Sequence, residues 1–266
     1  IWLRAALFAF IAPLLWVTHL VGWALLLVYA GSDELVRNYQ RYGRSYRTIT
    51  ACIAPCLTLL VPTLFYAFDF LATSEVGVTG YLFWLSKLLH LLRALRDSSA
   101  PWDLASILFL LSCLYLMCRS QKFCFHHGLL LGSASLFLIF IAMPGQIIGS
   151  VLVDMRLVPF FVATTLIAAI PKSEMKHWKI TAFAALSAIF LLIRIAGTTA
   201  SLQTEEIQVK QDLAILDHVP RGTNLLSLVV TPCDEMTNWK LDRRGNLPAY
   251  AIVRRHAFSN AQWTMS

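Results

Sequence analysis

The chain has 266 residues, of which 58% are hydrophobic and only 14% charged, with a formal net charge of +7. Its mean hydropathy of +0.64 and pI near 9.2 exclude an ordinary soluble domain. They also weaken a nucleic-acid reading, because the cations sit in short loops between apolar runs, where they orient a chain in lipid.

A membrane span needs about twenty mostly apolar residues, and six apolar runs fill the first 200 positions. The expected spans are Ala5–Ala30, Ile49–Leu71, Trp102–Cys118, Gly128–Met143, Leu157–Ile170 and Ile180–Ala196. The first should end at Gly31-Ser32-Asp33, and the fifth could begin earlier, near Ile147. In the sixth, Arg194 is placed to snorkel towards an interface. The apolar start at Ile1, without Met, leads us to expect that residues, and even helices, precede this sequence.

Between the second and third runs, Tyr81–Asp97 has polar residues at Ser86, Lys87, His90, Arg93, Arg96 and Asp97, with leucines in most other places. This helical spacing predicts an amphipathic helix. It either packs on the spans or lies in the headgroup layer with its basic stripe on lipid phosphates.

Residues 201–266 are polar and electrically neutral, with seven Lys/Arg and seven Asp/Glu. Ser201–Asp217 is helix-like and could continue the sixth span. Val219-Pro220-Arg221-Gly222 is a stop, and Asn224–Val230 and Leu247–Val253 read as strands. The expected fold class is therefore an all-α polytopic membrane protein with about six transmembrane helices, residues 1–200, and a small α/β extracytoplasmic domain, residues 201–266.

Loops 31–48, 119–127 and 171–179 carry nine basic residues, against four (Lys87, Arg93, Arg96, Arg156) on the other side. The positive-inside bias puts the first set in the cytoplasm and the tail outside.

Six cysteines form no disulfide framework. Cys52 and Cys56 share a helix face, but no His or carboxylate accompanies them in the sequence, so small thiols packed between helices are favoured over a metal pair. His126-His127 reads as a solvated basic turn for the same reason, and no metal ligand set is assigned.

Carboxylates beside the apolar spans are the sharper candidates, since an ionisable group at such depth is paired or lines a polar cavity. Asp69, Asp103 and Asp154 are the candidate catalytic residues. Asp103 follows Pro101-Trp102 and is best placed to N-cap its span. Asp154 follows the breakers Pro144-Gly145 and Gly149-Ser150, which suggest a re-entrant segment. Two readings stay open for Asp154-Met155-Arg156. One is a structural Asp–Arg pair or cap; the other has Arg156 on a phosphate and Asp154 as base or metal-binding carboxylate.

Val153-Asp154-Met155-Arg156-Leu157-Val158-Pro159-Phe160 resembles the Asp-x-Arg entry into a late span of bacterial polytopic glycosyltransferases of the C-type superfamily. The tail segments His218–Thr223 and Leu247–Phe258 are similar to the extracytoplasmic end of such proteins. The resemblance implies a multi-pass protein of the bacterial inner membrane, with its tail periplasmic. It would take a sugar from a polyprenyl-phosphate donor for transfer to an envelope acceptor on the outer face. The family's catalytic carboxylate lies in a first outer loop with no counterpart here. Lys87, His90, Arg93 and Arg96 would then meet the donor phosphate or surrounding lipid, with Arg156 as a second phosphate contact and room in the scheme for a divalent cation assisting the leaving group. The alternatives are a non-enzymatic membrane scaffold subunit with membrane protein partners and, last, a transporter or flippase, which predicts paired broken repeats that the sequence lacks.

Overall fold

The computed structural model describes residues 2–63, 84–147, 150–228, 239, 243 and 246–260. The protein is mostly helical, in agreement with the all-α expectation. Contacts divide it into two compact units, residues 1–94 with 109–175 and residues 95–108 with 176–266.

In the first unit, the run expected as one span is two helices, α1 (Trp2–Thr18) and α2 (Leu20–Tyr42). His19 causes the break. Its backbone is extended, and its Nδ1 accepts the Gly22 N–H at 3.0 Å, so it N-caps α2. The chain turns there, and Arg4 of α1 reaches Glu34 of α2 at 2.5 Å. Nor does α2 end at Gly31-Ser32-Asp33. It continues to Gly43, whose positive φ and N–H bond to the Tyr39 carbonyl stop it. Gly31 alone is too weak a breaker when an Asp33–Arg37 pair supports the following turn.

Ser45 caps α3 (Tyr46–Leu57), which ends in a 3-10 turn at Thr58–Leu60. This segment returns along α2, where the Trp23 indole donates to the Leu59 carbonyl at 2.7 Å. The short helix α4 (Trp84–Leu92) follows. Asp69 and residues 81–83 of the expected amphipathic helix lie outside the described residues.

Helix α5 (Ala100–Arg119) leads into strand β1 (Phe123–Phe125) and helix α6 (His127–Ala142). The strands β2 (Gln146–Ile147) and β3 (Ser150–Val151) then pair as an antiparallel hairpin. A 3-10 turn (Met155–Leu157) opens α7 (Val158–Ile167), so the fifth apolar run does not start near Ile147. Strand β4 (Ala169–Pro171) pairs antiparallel with β1.

Leu25, Leu136, Phe140, Leu157, Val158 and Phe161 form the core of this unit. Gly132 permits a close approach of α6 to α2: a Cβ there would meet the Tyr29 ring at 2.4 Å. The Tyr29 hydroxyl continues across to Thr164 Oγ1 of α7 at 2.7 Å.

The second unit is organised by α8 (His177–Ala214), which passes residue 200 unbroken and so joins the sixth apolar run to the expected tail helix. Its length is about 57 Å at 1.5 Å per residue. Its first half exposes Phe183, Leu186, Ile189, Leu192 and Ile195. After a 3-10 turn (Ile215–His218), strand β5 (Asn224–Leu225) pairs in parallel with β6 (Phe258–Ser259).

Leu247–Val253 is not a strand. Leu247–Ala249 is a 3-10 turn that runs into helix α9 (Tyr250–Arg255). Pro248 cannot donate to a ladder but suits a helical first turn. The helix ends at His256, left-handed with φ 52, whose N–H donates to the Ile252 carbonyl while the Ala257 N–H donates to that of Ala251. The His256 bond, from a left-handed residue back four positions, is that of an αL helix cap. Leu213, Leu216, Ala251 and Ala257 pack together beneath it.

Six spans are more than the helix lengths support. Among the described residues, two helical stretches are long and apolar enough to cross a membrane, Ala100–Arg119 and His177–His218. Leu3–Thr18, His127–Ala142 and Met155–Ile167 are shorter apolar helices. The composition was uniform enough to hide the break at His19.

Candidate functional site

In the first unit, Asp154 is fully buried just ahead of α7. Its Oδ2 accepts from Lys87 Nζ at 2.5 Å, and His90 Nδ1 stands 3.4 Å from the same oxygen. Lys87 and His90 lie three apart on α4 and so share its inner face. Lys87 also donates to the carbonyls of Phe140 (2.8 Å) and Met143 (2.6 Å). These are carbonyls at the end of α6 that no further helical turn can satisfy, at the negative pole of its dipole. The ammonium therefore has three acceptors for its three protons, and its charge is offset by a carboxylate and a helix terminus together.

This arrangement corrects three expectations. Lys87 and His90 do not face headgroups; both are buried. Asp154 does not pair with Arg156 but with Lys87, and Arg156 is exposed. Residues two apart at the mouth of a helix point in different directions, so the Asp-x-Arg spacing could not bring them together.

The second oxygen of Asp154, Oδ1, is buried with no hydrogen-bond partner among the described residues. A buried acceptor left open in this way is uncommon and calls for an explanation. Two residues earlier, Leu152 has φ 57. A bulky side chain in the left-handed region costs about 1–2 kcal/mol, and such strain concentrates at functional sites. Burial pushes the His90 imidazole below its ordinary pKa, and Lys87 and Arg93 add to that, while Asp154 opposes it. The shift favours the neutral imidazole beside this buried carboxylate.

The second unit holds a separate buried network around Asp103. Its Oδ1 accepts from Arg194 Nη1 at 2.8 Å. Its Oδ2 accepts from the Asp97 backbone N–H at 2.7 Å and from the Trp239 indole at 2.9 Å. Arg194 also donates to the Leu95 carbonyl and Ser106 Oγ. Arg243 bonds Asp97 and Ser201, and Arg96 donates to the Trp239 carbonyl.

Asp103 is therefore not an N-cap: it lies in the first turn of α5, and its own N–H donates to the Ser99 carbonyl. Arg194 does not snorkel; it turns to a fully buried carboxylate. Arg96 is held by the tail rather than standing in a lipid-facing stripe, and Arg93 is half-buried. The partners Trp239, Asp97 and Arg243 were not legible as site residues, because a long-range ion pair leaves no spacing in the sequence. Only the depth of Arg194 in an apolar run hinted that it needed a partner.

Among the described residues, no group of three or more His, Cys, Asp or Glu side chains gathers to hold a metal ion. No family model matches the chain, and no curated protein or solved structure matches it either.

Proposed function

We propose that the chain is an integral membrane protein of the bacterial envelope with a periplasmic tail. Its proposed activity is that of a glycosyltransferase of the C-type kind, taking sugar from a polyprenyl-phosphate donor on the outer face. The observation that carries the catalytic part is Asp154: fully buried, held by Lys87 through one oxygen, with Oδ1 lacking a partner among the described residues and the strained Leu152 beside it. A carboxylate held in that way is suited to take the proton of an acceptor hydroxyl as its oxygen attacks the anomeric carbon and the polyprenyl phosphate leaves. Exposed Arg156, two residues on, offers a guanidinium to that phosphate. A divalent cation remains part of the proposal as a helper of the leaving group. Asp103 is withdrawn as a base, since both its oxygens are occupied.

The membrane part of the proposal rests on the apolar faces exposed along α8 and on the asymmetry of basic loops. The remaining spans of a six-span topology, beyond α5 and α8, would then draw on the shorter apolar helices.

The test is sugar transfer from a polyprenyl-phosphate donor by the full chain in proteoliposomes. Asp154→Asn should lower the rate by about 10²-fold or more, as expected for losing a general base, and Asp154→Asn with Arg156→Ala should abolish it while the protein stays in the membrane. Full activity in the double variant removes this site. One observation favours the scaffold reading: among the described residues the ion pairs of Asp154 go to Lys87 and His90, and not to Arg156. That reading expects an inactive wild type that co-purifies with another membrane protein in fixed ratio.

A further inference from the structure

The register of the helices in the first unit sorts its charges by end. Gly128 at the start of α6 abuts Asp33 of α2, and Gly132 abuts Tyr29. Leu25 then shares a core with Leu136 and Phe140 further along α6, so α2 and α6 run antiparallel. The last turns of α2 therefore project beyond the start of α6. Tyr29 bonds Thr164 near the end of α7, which brings that end to the same side. Strands β1 and β4 close it, and the Lys172 N–H donates to the Lys122 carbonyl at 2.9 Å.

Segments far apart in sequence thus place Arg41, Arg44, Arg47, Arg119, Lys122 and Lys172 at one end, and all six are exposed. The Lys87–Asp154 pair lies at the other end of α6, about 24 Å away at 1.5 Å per residue. Two acids nearest the basic set are already engaged: Asp33 by Arg37 at 2.5 Å, and buried Glu34 by Arg4. Glu174 is an exposed acid there. Tyr39 and Tyr46, 50% and 72% exposed, stand among the arginines. Aromatic rings with a polar tip, mixed with guanidinium groups, are the chemistry of a headgroup layer.

We infer that this basic end is a binding surface for anionic phospholipid headgroups, formed by juxtaposing the α2–α3 turn with the β1–β4 ladder. It rests on the membrane reading given above. Lipid-phosphate contact therefore belongs here, and not to buried Lys87 and His90. Each cation near an anionic surface adds attraction that salt weakens.

The experiment uses the full chain in phosphatidylcholine vesicles containing trace spin-labelled phosphatidylglycerol or spin-labelled phosphatidylcholine. The wild type should hold the anionic label preferentially, by at least about fivefold, the factor one Lys or Arg near an anionic surface supplies. In Arg44→Gln/Arg47→Gln/Lys122→Gln/Lys172→Gln the preference should collapse towards unity. Equal retention of both labels by the wild type overturns the inference, as does an undiminished preference in the variant. Inorganic phosphate displacing the label better than chloride at equal ionic strength assigns the surface to free phosphate and also overturns it. A wild type that stays out of phosphatidylcholine bilayers altogether defeats the membrane reading itself.

Discussion

Lys87 Nζ and Asp154 Oδ2 are 2.5 Å apart although 67 residues separate them, and both side chains are buried. The pair ties α4 to the entry of α7, and the two carbonyls that share the ammonium add the end of α6. Removing one charge strands the other. Lys87→Met should destabilise the protein by about 3–5 kcal/mol, the usual cost of an orphaned buried charge. Lys87→Met with Asp154→Asn should recover part of that loss. Unfolding in detergent by denaturant measures both; a double variant no better than the single one would mean the two side chains are not coupled.

His90 predicts a pH dependence with a definite sign. Its pKa is pushed below the ordinary 6.5, chiefly by burial. The unfolded chain therefore binds a proton near that pH that the native state resists. Unfolding takes up protons, so stability is full above about pH 6.5, falls as pH drops below it, and levels off once pH passes the folded-state value. Asp154, Lys87 and Arg93 are the charged groups around the imidazole. His90→Gln should flatten that acid-side slope in stability measured across the range. An unchanged slope would assign the pH response to other groups.

Arg194 and Asp103 form the corresponding pair in the second unit. Asp103→Asn should cost about 3–5 kcal/mol by leaving Arg194 buried without its counter-charge. Trp239→Phe removes a bond from a neutral donor to a charged acceptor along with part of the ring, and losing that bond should cost about 1.5–3 kcal/mol. Thermal unfolding of the two variants checks the order. If Trp239→Phe proves the more damaging, ring packing rather than the carboxylate dominates this network.

Gly132 has no room for a side chain against Tyr29. Gly132→Ala should lose about 1–3 kcal/mol through overpacking, whereas Gly31→Ala, with nothing within 4 Å, should be neutral or slightly stabilising. Comparing their denaturation midpoints tests whether α2 and α6 are as close as the Tyr29 contact requires.

The candidate site was half legible. Asp154 stood out because an acid beside an apolar run at a Pro/Gly break needs a reason to be there. Lys87 and His90 were legible as residues, but whether their face packs on protein or meets lipid stayed open. Helical periodicity defines an amphipathic face without saying what covers it. The leucines around Lys87 are as compatible with lipid as with protein, and only the open carbonyls at the end of α6 decide the matter.

The tail shows the same limit at Leu247–Val253. A short apolar run has no period that distinguishes strand from buried helix, and here Pro248 and the cap at His256 settled it. His19 is a second case: a single capping side chain splits an apolar run that is uniform by composition.

Sequence by itself determined the helical class, the apolar character of the first 200 residues, the helix-like start of the tail and the loops where the basic residues collect. These are local or additive properties, set by each residue's transfer free energy and backbone preference. Tertiary structure alone decided that Asp154 answers to Lys87, that Asp103 answers to Arg194, and that separate basic loops meet at one end. An ion pair between distant residues depends on helix register and burial, and neither is written into the spacing of neighbours.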